Sequence, residues 1–166
     1  MLNLPDALQM RPCTDADQAF LLGLYRTTRD DLLSIQADQA FLGQLIAMQF
    51  QIQAQAYRNM HPDAGYWLIL RDGHAIGRLI LAEYNEQIRL VDISLQPDER
   101  QSGHGTSLLK ALQAWAAMTE RPVCLSVAHN NPGAHKLYLA MGFVAEESDA
   151  LQTHMRWQSI AALKAQ

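Results

Sequence analysis

Little in the sequence would place it outside ordinary globular proteins. Only two of its 166 residues are cysteine, Cys13 and Cys124. Each stands in a strand-like apolar run, which reads as a buried free thiol and excludes a disulfide framework. Neither a Cys-x-x-Cys pair nor a His-Glu-x-x-His motif occurs, and the six histidines are scattered, so no metal site is expected. Positive charge is scarce: thirteen Lys and Arg against seventeen Asp and Glu give a formal charge of -4. Without clustered basic residues, nucleic acid is not an expected partner. No apolar run is long enough to cross a bilayer, and the opening MLNLPDALQM lacks the basic segment and apolar core of a signal peptide. The expectation is a cytoplasmic protein with no membrane partner. Repeats, low-complexity linkers and shifts of composition are also missing. With 49% hydrophobic and 18% charged residues, positions 1–166 read as a single domain.

Hydrophobic periodicity supplies the elements. A short strand, Leu8 to Cys13, leads to Thr14 as N-cap of a helix in which Phe20, Leu21, Leu24 and Tyr25 recur at helical spacing. A second helix, rich in Ala, Gln and Leu, runs from about Asp38 to Met60 and stops at HPDAG. Two strands then meet at Asp72-Gly73, a strong hairpin signal, and IRLVDISL (88–95) is another strand. A helix from about Gly103 to Thr119, the strand VCLSVA (123–128), a capped helix ending at Gly142, and the strands FVAEE and QTHMRW complete the chain. This order predicts an α+β, three-layer fold: a central sheet of about seven strands with helices on both faces.

Residues 95–109, LQPDERQSGHGTSLL, pass from a strand through two glycines into a helix. Such a turn is an anion site by construction. The first N–H groups of a helix lack internal partners, the dipole is positive there, and glycine lets the main chain approach a ligand. Arg100 either adds a full charge to that site or holds the loop. A Walker loop is excluded because Thr106-Ser107-Leu108 follows Gly105, where Lys-Ser/Thr would be needed. A dinucleotide fingerprint is excluded because Leu108 stands where its third glycine belongs.

Arg100-Gln101-Ser102-Gly103-His104-Gly105 matches the (Gln/Arg)-x-x-Gly-x-(Gly/Ala) loop of the GNAT superfamily of acyl-CoA-dependent N-acetyltransferases. Val127 to Tyr138, followed by Gly142-Phe143, resembles that family's V-x-x-x-N-x-x-A-x-x-L-Y-x-x-x-G-F block. The resemblance is specific over 88–145 and looser over 8–87. It implies a mixed, mostly antiparallel sheet and acetyl-CoA as co-substrate, with a primary amine on a small molecule or peptide as acceptor. A homodimer is left open, and the alternatives are an idle acyl-CoA-binding domain or a different acyl donor.

The resemblance also distributes roles. Backbone groups of Ile93, Ser94 and Leu95 would pair with the pantetheine arm. Arg100, Gln101, Ser102, Gly103, His104, Gly105 and Thr106 would hold the pyrophosphate, with the His104 side chain expected to face solvent. Tyr138 would protonate the departing thiolate, and Asn131 would cap its helix and reach the cofactor. Some members carry a Glu at the position of Ser126, which cannot act as a base unaided. Asp92, which interrupts an apolar strand, is the substitute; the competing reading is an ion pair with Arg78 or Arg89. Glu83 and Tyr84 stand behind it. Gln49, Gln53 and Tyr57 share one helix face; in the family this helical region often walls the acceptor site, which makes these three, with Tyr84 and Ser126, the acceptor-side candidates.

Overall fold

A computed structural model describes residues 2–5 and 7–159. Its strands are β1 Leu8–Pro12, β2 Gly65–Arg71, β3 His74–Glu83, β4 Ile88–Leu95, β5 Val123–Ala128, β6 Val144–Ser148 and β7 Gln152–Trp157. Its helices are α1 Gln18–Arg26, α2 Asp30–Leu33, α3 Gln39–Met60, α4 His104–Met118 and α5 Pro132–Ala140. The strands form one seven-stranded sheet in the order β1-β2-β3-β4-β5-β7-β6. Every neighbouring pair is antiparallel except β4 and β5. The α+β expectation therefore holds. The one-turn helix α2 went unread because four residues carry no periodicity.

Local chemistry explains the boundaries. Asp38 caps α3 by accepting from the Phe41 N–H at 3.1 Å. Thr14 and Asp17 form a capping box over the 3-10 turn that enters α1, and Arg11 grips Asp17 at 2.7 Å. Asp72 and Gly73 both have positive φ, 51° and 78°, as a two-residue hairpin turn requires. Cys124 is buried, but Cys13 is only half-buried, because β1 is an edge strand whose last residue precedes it.

The sheet separates two apolar layers. One packs Ile88, Leu90, Val123 and Leu125 against Leu108, Leu109 and Leu112 of α4, with Tyr138 and Phe143. The other sets Leu21 and Tyr25 of α1 and Ile46 and Phe50 of α3 on Leu68, the Tyr25 and Phe50 rings lying 5.5 Å apart. Gly77 fixes the join of β3 to β4: a Cβ there would lie 2.4 Å from the Ser94 carbonyl oxygen and 2.7 Å from Leu95 Cδ2.

One irregularity positions the site. In β4, Leu90 pairs with Leu81 but Asp92 pairs with Ile80, so Val91 is an extra residue, a β-bulge. Before it, Ile88 and Leu90 face the α4 layer; after it, Ile93 and Leu95 do. Asp92 and Ser94 are thereby turned to the α3 side.

Candidate active site

Parallel pairing of β4 with β5 covers only Ile88–Leu90 against Val123–Leu125. Beyond that seam both strands continue, β4 to Leu95 and β5 to Ala128, without pairing. The sheet therefore opens at its centre, and the β4 backbone from Val91 onward has no strand partner on its β5 side.

At the far end of β4 a 3-10 turn, Pro97–Glu99, leads into the glycine loop. Gln101 and Gly103 adopt positive φ of 60° and 85°, and Gly103 is the N-cap of α4. The first helical hydrogen bond is Ser107 N–H to the Gly103 carbonyl at 2.9 Å. The N–H groups of Gly103, His104, Gly105 and Thr106 consequently have no acceptor among the described residues. No heavy atom comes within 4 Å of a Cβ built on Gly103, so the turn faces open space.

Arg100 holds the loop: Nε donates to the Leu95 carbonyl at 2.9 Å and Nη2 to Thr27 Oγ1 at 2.8 Å. The His104 side chain departs from expectation. It turns inward, with Nε2 3.1 Å from Glu99 Oε2 and 3.4 Å from Arg71 Nη1. Arg71 already places a guanidinium 2.6 Å from the buried Glu99, and the imidazole joins that pair, tying α4 to the end of β2. The loop presents backbone to its ligand side, and this side chain anchors it from behind.

Asp92 is paired with Arg78. Its Oδ2 lies 3.0 Å from Arg78 Nε and 2.9 Å from Nη2, and accepts from Ser94 Oγ at 3.1 Å. Arg78 is buried and also donates to Gln53 Oε1 of α3 at 3.4 Å. The ion-pair reading of Asp92 is therefore met, with Arg78 and not Arg89 as partner. Asp92 Oδ1 has no hydrogen-bond partner among the described residues.

Two tyrosines, one from each layer, lie within reach of the charge on this carboxylate. Tyr138 of α5 is buried, edge-on to Phe143 at 5.6 Å. Burial first, and then the charge of Asp92, raise its hydroxyl well above the usual tyrosine range. Tyr57 of α3 is pushed up to about 12 by the same two causes in the same order. Neither hydroxyl has a hydrogen-bond partner among the described residues, so both remain free donors.

Beyond the seam on the α3 side lies a second polar group. Arg89 Nη2 donates to Ser126 Oγ, which lies 2.8 Å from Nδ1 of His154 on β7. His154 Nε2 is 3.6 Å from Asp149 Oδ2. Sequence reading missed His154; the signal was the pairing of β5 with β7, which sets Ser126 opposite His154. The remaining candidates scatter. Gln49 accepts from Arg29 and braces the α1–α2 connection. Tyr84 OH lies 2.6 Å from Nδ1 of His61, just past α3. Asn131 caps α5, accepting from the Ala134 N–H at 3.1 Å.

The fold that carries this arrangement is shared with known acetyltransferases. The coenzyme A complex of PaiA N-acetyltransferase from Thermoplasma acidophilum aligns over 92% of this chain and 99% of its own, at 16% identity and a TM-score of 0.67. An acetyltransferase from Thermus thermophilus aligns over 95% and 100%, at 16% identity and 0.68. Spermidine N-acetyltransferase from Vibrio cholerae, solved with CoA and spermine, aligns over 96% and 99%, at 17% identity and 0.65. At these identities the likeness establishes the fold. A comparison with curated proteins gives no match. The family model for the acetyltransferase (GNAT) family matches residues 29–143, and the chain belongs to that family. No helix among the described residues is long and apolar enough to cross a membrane.

Proposed function

We propose that this chain transfers an acetyl group from acetyl-CoA to a primary amine, carried by a small molecule or a peptide N-terminus, with both reactants bound together. The observation that carries this reading is the parting of β4 from β5 beyond Leu90 and Leu125, in line with the free N–H groups of the α4 turn. The two features together fit coenzyme A: a strand edge for an amide-bearing arm, and backbone donors with open space before Gly103 for a pyrophosphate. Structural relatives solved with coenzyme A support the same donor.

Bound acetyl-CoA would supply a thioester whose carbonyl carbon takes the new C–N bond as the C–S bond breaks. The residues then divide the work. The unpaired β4 edge at Ile93–Leu95 aligns the donor, and Gly103 to Thr106 hold its phosphates. Asp92 Oδ1 accepts a hydrogen bond from the amine, whose proton leaves to solvent. Tyr138, kept protonated by burial, donates its hydroxyl proton to the departing sulfur. Gln53 and Tyr57 wall the acceptor side beside Arg78.

Acceptor-dependent thiol release from acetyl-CoA, over a panel of amines and peptides, tests the reading. Coenzyme A binding with no such release would mark an idle binder. Gly103→Glu should remove coenzyme A binding, while Gly103→Asn, which tolerates positive φ without adding charge, should keep most of it. Unchanged affinity in a folded Gly103→Glu protein would overturn the assignment of the turn.

A further inference from the structure

The arginines of this chain divide cleanly. Among those that are not exposed, Arg29, Arg71, Arg78, Arg121 and Arg156 each have a carboxylate within 4.0 Å. Arg89 is likewise half-buried, yet makes no ion pair among the described residues, and its partner is the neutral Ser126 hydroxyl. Withdrawing a guanidinium from water without a counter-charge is costly. A single hydrogen bond through Nη2 leaves most of its five N–H donors unused.

Its position gives this imbalance a direction. Arg89 is the penultimate β4 residue of the parallel seam, and its head reaches past the seam to Ser126, the first β5 residue beyond it. Ser126 in turn meets His154, so a guanidinium, a hydroxyl and an imidazole sit side by side at the opening. All three lie on the sheet face that carries α3, the face to which Asp92 and Ser94 are turned. The Arg89 charge also reaches His61 just past the end of α3, where, after burial, it lowers the imidazole's affinity for a proton.

We infer that Arg89, with Ser126 and His154, receives an oxyanion on the acceptor, so that the preferred acceptor is an amine that also carries a carboxylate or phosphate. This rests on the acetyltransferase reading above and narrows it. A guanidinium at the opening supplies charge-assisted, forked recognition of such a group and repels purely cationic amines. Polyamines are accordingly the disfavoured class.

Matched pairs test it with the full chain and acetyl-CoA. They comprise α-amino acids against their α-carboxamides, phosphoethanolamine against ethanolamine, and spermidine as the polycation. Turnover is followed by thiol release, and binding of the same compounds to the coenzyme A-loaded protein by calorimetry. An anionic member at least about tenfold better than its neutral match is expected, a ratio set by one charge-assisted hydrogen bond. The pair that shows the preference tells carboxylate from phosphate. Arg89→Gln should collapse that ratio mainly through KM, and Arg89→Lys should restore part of it. Equal or better use of neutral amines or spermidine, or a ratio that survives in Arg89→Gln, would overturn the inference. Anion-selective binding with no thiol release for any amine would support this inference while refuting turnover; release confined to neutral amines would do the reverse.

Discussion

Replacing Tyr138 with Phe removes one oxygen from the centre of the proposed chemistry and little else. The ring is 7% exposed and packs edge-on to Phe143 at 5.6 Å, contacts that Phe retains. Because the hydroxyl has no partner among the described residues, no internal hydrogen bond is broken, and stability should change by no more than about 0.5 kcal/mol. Turnover should respond quite differently. A positioned general acid contributes about 10²- to 10⁴-fold, which is about 3 to 5 kcal/mol of transition-state stabilisation. The assay is steady-state thiol release beside direct titration of coenzyme A, with thermal unfolding as control. kcat should fall by about two to four decades with coenzyme A affinity nearly unchanged. Full activity in Tyr138→Phe would refute the general-acid role. A loss of several kcal/mol in stability would refute the claim that the hydroxyl is free of structural duty.

Three further outcomes follow from the geometry. Asp92→Ala strands the buried Arg78 guanidinium and should cost about 3 kcal/mol, the low end for a broken buried pair because Asp92 is partly exposed; denaturant titration reads it, and a loss below about 1 kcal/mol would show the pair to be solvent-screened. Gly77→Ala pushes a methyl against the Ser94 carbonyl and should cost about 1 to 3 kcal/mol while weakening coenzyme A binding through the displaced end of β4. Tyr57 titrates at 10 when unperturbed and at about 12 here. For an acid whose folded value is raised, the stabilisation is complete below the ordinary value and is lost as pH rises through the folded one. Unfolding midpoints should therefore decline between about pH 10 and about pH 12, and Tyr57→Phe should flatten that decline.

Most of the fold was legible because its signals are local. The Asp72-Gly73 hairpin, the start of α3 at about Asp38 and the apolar strand at 88–95 each depend on a few adjacent residues. The glycine turn was legible for the same reason, since the geometry of Gly103 is demanded by its own backbone. What escaped depends on partners distant in sequence. His104 is set by Glu99 and Arg71, and the latter arrives from another strand 33 residues earlier. His154 matters only because β7 returns beside β5, bringing it to Ser126 across 28 residues. Asp92 could be narrowed to two arginines, but the choice of Arg78 required the antiparallel register of β3 and β4. One missed signal was local: the apolar positions 88 and 90 give way to 93 and 95, a change of parity that announces the bulge.

That bulge has a consequence for which changes of length the site survives. Side chains in a strand alternate between two faces, so losing one residue from a regular strand exchanges everything downstream of it. At Val91 the outcome is the reverse: Leu90 already pairs with Leu81 and Asp92 with Ile80, so losing the extra residue restores plain alternation. Asp92 and Ser94 would stay on the side of Arg78, and Ile93 and Leu95 would stay beneath α4. The strand would keep one hydrogen-bonding wall and one apolar wall through the loss of a residue whose own side chain has no part in the reaction.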